Sequence, residues 1–165
     1  MFKLDPINKM NQEERLKYML ILLKGQLSSE ENDLANISNS TGIIMACVDR
    51  LNWAGFYMMR GEELVLGPFQ GLPACNRISI GKGVCGTAVF TKEVQLVPDV
   101  HLFPGHIACD SASNSELVIP IIKNDKVYGV LDLDSPEKDR FTVLEEKYFI
   151  EFVNILNEYI NWEKV

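Results

Sequence analysis

Apolar residues recur along this chain with two different periods, and the switches between them divide it into three parts. Leu16, Met19, Leu20 and Leu23 fall at i, i+3, i+4 and i+7, the face of an amphipathic helix that Gly25 is expected to end. Ser28 and Glu31 have capping-box spacing for a second helix, whose inward face would be Leu34, Ile37, Thr41, Ile44, Met45 and Val48. The last part is helical again. Thr142 and Glu145 repeat the capping-box spacing, and Leu144, Tyr148, Phe149, Phe152, Ile155, Leu156 and Tyr159 follow.

Strand-type sequence lies between. Residues 52–60 and 63–69 flank a turn at Gly61, 77–80 is a short strand, 84–91 a short helix and 95–97 another short strand. Residues 117–122 and 126–134 flank Asn124-Asp125, a strong hairpin-turn pair. Pro120 predicts an edge position or a bulge. Helices gathered at the ends around consecutive strands predict an α+β sandwich, a central, mainly antiparallel β-sheet flanked by N- and C-terminal helices. Without internal repeat, low-complexity tract or linker, residues 1–165 are read as a single domain.

Alternation with period two puts Tyr128, Val130, Asp132 and Asp134 on one strand face, with the two aspartates about 7 Å apart. Close carboxylates hold an ammonium group or raise one another's pKa; a solvated strand end is the plainer reading. On the first strand Trp53, Gly55, Tyr57 and Met59 share a face. Glycine between two aromatics predicts a slot suited to a thioether or sulfoxide side chain, although ordinary core packing gives the same pattern. Residues 98–115 have no regular pattern, and a loop this long is uncommon in a domain unless it is functional. It holds both histidines, His101 and His106, and Cys109.

Composition narrows the chemistry. At 47% hydrophobic and 24% charged, the 165 residues are those of an ordinary globular protein. A net charge of −7 argues against nucleic acid as a partner. No apolar run approaches the roughly 20 residues that span a bilayer, so no membrane association is expected, and the chain reads as cytoplasmic, where thiols stay reduced. Of the four cysteines, Cys47 sits on a helix face and reads as a buried filler. Cys75, Cys85 and Cys109 lie in loop-type sequence, and none forms a C-x-x-C pair. Burial, a zinc site completed by His101 or His106, and thiol redox chemistry all fit them. Cys85 stands at the expected start of a helix, where free N–H groups and the macrodipole lower a thiol's pKa. Cys109 adjoins Asp110, which opposes ionisation. Local electrostatics therefore nominate Cys85 as the more acidic thiol.

Gly81-Lys82-Gly83-Val84-Cys85-Gly86 matches G-x-G-x-x-G, but the unit from 77 to 99 spans only 23 residues, short of the roughly 30 of a dinucleotide-binding βαβ. The glycines read instead as permitting a tight backbone and exposing Cys85.

The stretches NWAGFY (52–57), LGPFQGLPACNRI (66–78), GKGVCGTA (81–88), PDVHLFPGHIACDSASNSE (98–116) and GVLDLDSP (129–136) closely resemble the free methionine-(R)-sulfoxide reductases, a catalytic branch of the GAF domains. The resemblance covers roughly residues 30 to 160. It implies a GAF-like sandwich, no cofactor and no metal, and free L-methionine-(R)-sulfoxide as substrate. It implies that Cys109 attacks the sulfoxide sulfur and becomes a sulfenic acid, that Cys85 resolves it as a disulfide, and that Cys75 exchanges with that bond. Thioredoxin would restore the dithiol. Glu116, Asp132 and Asp134 match carboxylates of the family's substrate pocket, Trp53 and Tyr57 its aromatic wall, and a homodimer is usual.

Two expectations pull against this. The family pattern makes Cys109 the attacker where electrostatics favour Cys85, although attack also depends on position and nucleophilicity. A two-residue turn at Asn124-Asp125 pairs Leu117 with Asp132 and Glu116 with Leu133, which leaves Glu116 on the face opposite the aspartates. A bulge at Pro120 or a wider turn is needed to bring it round. The alternatives from other classes are a non-catalytic GAF sensor for a small ligand or cyclic nucleotide, and a zinc-binding structural module.

Overall fold

Each long helix starts where a side chain takes up N–H groups that the first turn leaves free. In the computed structural model, which describes residues 7–105 and 111–165, helix α1 spans Gln12–Ser29 behind Asn11 and Glu14, a reciprocal capping box. Helix α4 spans Val143–Tyr159 behind the expected box of Thr142 and Glu145. Gly25 does not end α1, which runs on to Ser29. Ser28 therefore caps nothing; its hydroxyl donates back to the Lys24 carbonyl at 2.7 Å. Helix α2, Asp33–Cys47, is capped by Asn32, whose side chain accepts from the Ala35 N–H. Ile37, Thr41 and Ile44 face inward as expected, whereas Leu34 is exposed.

Six strands follow the expected order: β1 Trp53–Arg60, β2 Glu63–Gln70, β3 Arg77–Ser79, β4 Gln95–Val97, β5 Ser115–Lys123 and β6 Lys126–Ser135. Helix α3, Gly83–Thr91, lies between β3 and β4. The strands form one antiparallel sheet in the order β3-β2-β1-β6-β5-β4. Pro120 falls on β5 beyond the reach of β4, which pairs only with Glu116 to Val118. Its missing N–H thus sits where the strand has a free side.

Alternate side chains build a core on each face of the sheet. Ala54, Phe56, Met58, Leu117, Ile119, Leu131 and Leu133 pack against α1, α2 and α4. Trp53, Tyr57, Val118 and Val130 face the other way, with Val84, Cys85, Ala88 and Val89 of α3. The second, smaller core contains Cys85.

Two bulges break the regular ladders. Between β1 and β2, Tyr57 pairs with Leu66 but Gly55 with Phe69, so Gly67 and Pro68 oppose Phe56 alone. Between β5 and β6, Ile122 pairs with Val127 but Ile121 with Gly129, so Tyr128 is the extra residue. Tyr128 consequently leaves the face expected for it. It packs on the helix side and its hydroxyl donates to Glu163 at 2.7 Å. At Gly129 a Cβ would lie 2.2 Å from the Tyr57 carbonyl oxygen, so only glycine passes there.

Candidate active site

The β5–β6 bulge decides whether three carboxylates form a group. With Tyr128 counted out, Glu116 pairs with Asp134 and Val118 with Asp132. All three acids then share the face that carries α3. The bulge that the hairpin arithmetic requires is present; its place is Ile121–Ile122 opposite Tyr128 rather than Pro120. Asp132 stands directly across from Gly55 on β1, between the positions of Trp53, opposite Asp134, and Tyr57, opposite Val130.

Helix α3 brings in the sulfur. Its first turn is tied to the preceding strand end by Gly81 N–H to the Gly86 carbonyl at 2.8 Å and Lys82 N–H to the Ser79 carbonyl at 3.1 Å. A Cβ at Gly86 would lie 2.4 Å from the Ser79 carbonyl oxygen. Gly86 is thus explained by backbone approach, Gly81 and Gly83 by their positive φ of 78° and 60°, and the turn buries Cys85 rather than exposing it. Cys85 Sγ points to Glu116 Oε1 at 3.8 Å, and one ligand atom each of Cys85, Glu116 and Asp132 lies within 4.8 Å of the others. Their exposures are 3%, 6% and 6%.

Burial and mutual repulsion set the electrostatics. Burial pushes the Glu116 carboxyl well above the usual range, and the neighbouring Asp132 and Asp134 add to it. Asp132 is raised to about 6, by burial, against hydrogen bonds from Cys85 and Glu116. Asp132 Oδ1 is buried and has no hydrogen-bond partner among the described residues. Cys85 is also pushed well above an ordinary thiol, first by burial and then by Asp132 and Glu116. This corrects the expectation of an acidic Cys85, because loss of water and two carboxylates outweigh a helix N-terminus.

Trp53 forms the aromatic side. Its ring stacks on Phe69 at 5.3 Å and on Tyr57 at 5.8 Å between centroids. Its Nε1 donates to the Leu72 carbonyl at 3.1 Å. The slot expected over Gly55 is filled from within: a Cβ there would lie 2.4 Å from Phe69 Cβ and 2.6 Å from Trp53 Cη2. The glycine lets the indole lie flat across its own strand. Phe69 is a site residue that sequence reasoning misses. It lies opposite Gly55 only because of the β1–β2 bulge, and a regular ladder puts Pro68 there.

The Tyr57 hydroxyl donates to the Cys75 carbonyl at 2.9 Å, which fastens the β2–β3 loop to the aromatic side. Cys75 is disulfide-bonded, while Cys85 and Cys47 are free thiols. The resemblance implies a bond between Cys85 and Cys109; here Cys85 is unbridged and Cys75 is bridged. Cys109 and His106 lie outside the described residues. His101 is exposed, and its Nε2 lies 2.9 Å from Asn114 Oδ1. The Asn114 carbonyl accepts the Val100 N–H at 3.0 Å, so the two ends of the irregular loop are tied together. Among the described residues the side chains spaced to hold a metal ion are Cys85, Glu116 and Asp132, without a histidine. No helix among them is long and apolar enough to cross a membrane.

Comparison with known proteins shows the family and the fold. The profile of the GAF domain matches residues 34–160. Free methionine-R-sulfoxide reductase of Saccharomyces cerevisiae is 42% identical over 159 residues, covering 92% of this chain and 88% of the yeast protein. Free methionine-R-sulfoxide reductase of Escherichia coli is 49% identical over 121 residues, 73% of each chain. Among solved structures, free methionine-R-sulfoxide reductase from Neisseria meningitidis in complex with its substrate superimposes with a TM-score of 0.89 at 33% identity. That match covers 94% of this chain and 93% of the other.

Proposed function

This chain belongs to the GAF-domain family and, within it, to the free methionine-(R)-sulfoxide reductases, and from that membership we propose how its residues reduce free L-methionine-(R)-sulfoxide. The observation that carries the proposal is the buried Glu116–Asp132 pair, with an open acceptor on Asp132, set on the same sheet face as Trp53 and Tyr57.

The Cys109 thiolate attacks the sulfoxide sulfur. The departing oxygen is a poor leaving group and needs a proton. Glu116, kept protonated by burial and by its acidic neighbours, supplies it. The sulfoxide gains two electrons and leaves as methionine, and Cys109 becomes the sulfenic acid. Asp132 Oδ1 accepts from the substrate's α-ammonium, with Asp134 beside it. A methionine sulfoxide within a peptide lacks that charge, which favours the free amino acid. Trp53 and Tyr57 bound the thioether end.

Cys75 is the resolving thiol in this reading. Its sulfur displaces water from the Cys109 sulfenic acid, forming a Cys75–Cys109 disulfide. The bridged state of Cys75 and the free, buried Cys85 favour Cys75 over Cys85 for this step. Cys75 is half-buried on a loop whose Leu72 is exposed, so a protein dithiol can reach it. Thioredoxin is taken as that reductant, a pair of chains as the assembly, residues 1–165 as one domain and the cytoplasm as the compartment.

Peptide mapping by mass spectrometry after one equivalent of substrate tests the assignment. Cys85→Ser is expected to form the disulfide as the wild type does, Cys75→Ser to stop at a sulfenic acid, and Cys109→Ser to release no methionine. A sulfenic acid that accumulates in Cys85→Ser but not in Cys75→Ser returns the resolving role to Cys85. No methionine from the wild type overturns the reductase reading in favour of a ligand sensor.

A further inference from the structure

The Cys85 cluster has a donor set that the reductase chemistry does not use as such. One thiol and two carboxylates from three separate elements converge, each more than nine-tenths buried. Glu116 and Asp132 stand on adjacent strands, diagonal to each other on one face. Cys85 comes down from the first turn of α3, which close glycine packing holds against the end of β3. The Asp132 carboxylate takes hydrogen bonds from Cys85 and Glu116, and its second oxygen, the buried Oδ1, has no hydrogen-bond partner among the described residues. An orphaned buried acceptor is costly, and a cation satisfies it. No basic side chain is among the groups that act most strongly on any of the three.

We propose that Cys85 Sγ, Glu116 and Asp132 form a three-ligand site for a borderline-soft divalent cation of the zinc class.

The spacing suits that ion. Tetrahedral zinc, with Zn–S near 2.3 Å and Zn–O near 2.0 Å, places sulfur and oxygen ligands about 3.5 Å apart. Cys85 Sγ and Glu116 Oε1 are already 3.8 Å apart, so small side-chain movements close the site. One thiolate with two carboxylates disfavours calcium and magnesium, which take oxygen ligands in larger number, and favours zinc or cobalt. Three protein ligands leave a fourth position open. The ligand set contains no histidine and does not require Cys75 or Cys109. Because the same carboxylates receive the substrate in the reductase reading, bound metal excludes substrate and acts as a reversible inhibitor. That consequence rests on the reductase reading; metal binding itself does not.

Cobalt(II) titration under anaerobic conditions tests the site, using full-length Cys75→Ser/Cys109→Ser protein so that the other two loop thiols are absent. The expected result is a near-ultraviolet sulfur-to-cobalt charge-transfer band at one equivalent, removed by zinc chloride. Adding Cys85→Ser, which leaves Cys47 in place, abolishes the band. Glu116→Gln or Asp132→Asn weakens binding by at least about tenfold, since the loss of an outer-shell partner alone costs about 10–100-fold. No band, a band that survives Cys85→Ser, or binding unmoved by both carboxylate variants overturns the proposal. A wild-type protein that reduces the sulfoxide but shows no such band sinks the metal site alone. A band through Cys85 in a protein inert towards the sulfoxide sinks the reductase reading alone.

Discussion

Glu116 stands directly across the β5–β6 ladder from Asp134, because Tyr128 is bulged out of the pairing. Burial first, and then Asp132 and Asp134, push the Glu116 carboxyl well above the usual range, and it is the proton donor in the proposed reaction. Glu116→Gln is expected to slow methionine release in a single turnover by about 10²–10⁴-fold, the usual contribution of a positioned acid. Its melting temperature should not fall, since a buried carboxyl with raised pKa is replaced by a neutral amide. Rapid-quench measurement of methionine checks the first part and calorimetry the second.

Asp132 links stability to pH. Its folded-state pKa is raised to about 6 from an ordinary 3.8, chiefly by burial. The stability it contributes is present below about pH 4 and lost as pH rises through about 6. A rise of that size corresponds to about 2–3 kcal/mol. Asp132→Asn does not titrate, so its stability relative to the wild type should climb by about that amount between pH 4 and pH 7. Urea unfolding at several pH values reads the difference; a flat difference shows that Asp132 does not ionise inside the fold.

Thiol reactivity should follow environment. Cys85 is held well above an ordinary thiol by burial and two carboxylates, and Cys47 is pushed to about 11 by burial. In reduced protein at pH 8, iodoacetamide is expected to modify Cys75 at least about tenfold faster than Cys85 or Cys47, because the thiolate is the reacting species. Timed mass spectrometry ranks them. Rapid labelling of Cys85 contradicts its described environment.

Gly55→Ala tests the aromatic stack. The added methyl meets Phe69 Cβ at 2.4 Å and Trp53 Cη2 at 2.6 Å, and the Phe69 Cα at 2.9 Å leaves the backbone no room to yield. Overpacking of this kind costs about 1–3 kcal/mol, read as a lower denaturation midpoint, and it should raise KM more than it lowers kcat. An unchanged midpoint means that the indole has another place to lie.

Among the described residues the period-two and helical patterns locate the six strands and the four α-helices, though not the short 3-10 turns at Ile7–Lys9 and Val100–Leu102 or the end of α1, because those patterns record which face meets a core. They do not place the bulges. An extra residue such as Tyr128 looks like any other member of an alternating run, and only the cross-strand partner reveals it. The carboxylate group is legible as a requirement, since Glu116 needs a register shift to reach the aspartates, while Phe69 stays hidden behind the second bulge. Cys85 is misjudged for a related reason. Its place at a helix start is local and visible in the sequence, but the acids that raise its pKa arrive from β5 and β6, some 30 to 50 residues away. The pairing of helix starts with caps works at Thr142 and fails at Ser28, where Asn32 stands close by and is the stronger cap.

The chain has two tryptophans, and the sheet separates them: Trp53 belongs to the core beside the carboxylates and Trp162 to the core under the long helices. Replacing the distant indole by Trp162→Phe leaves a single fluorophore, stacked on Phe69 and Tyr57 on the sheet face that carries the acids. Its emission then turns the protein into its own optical gauge of occupancy, with no label attached.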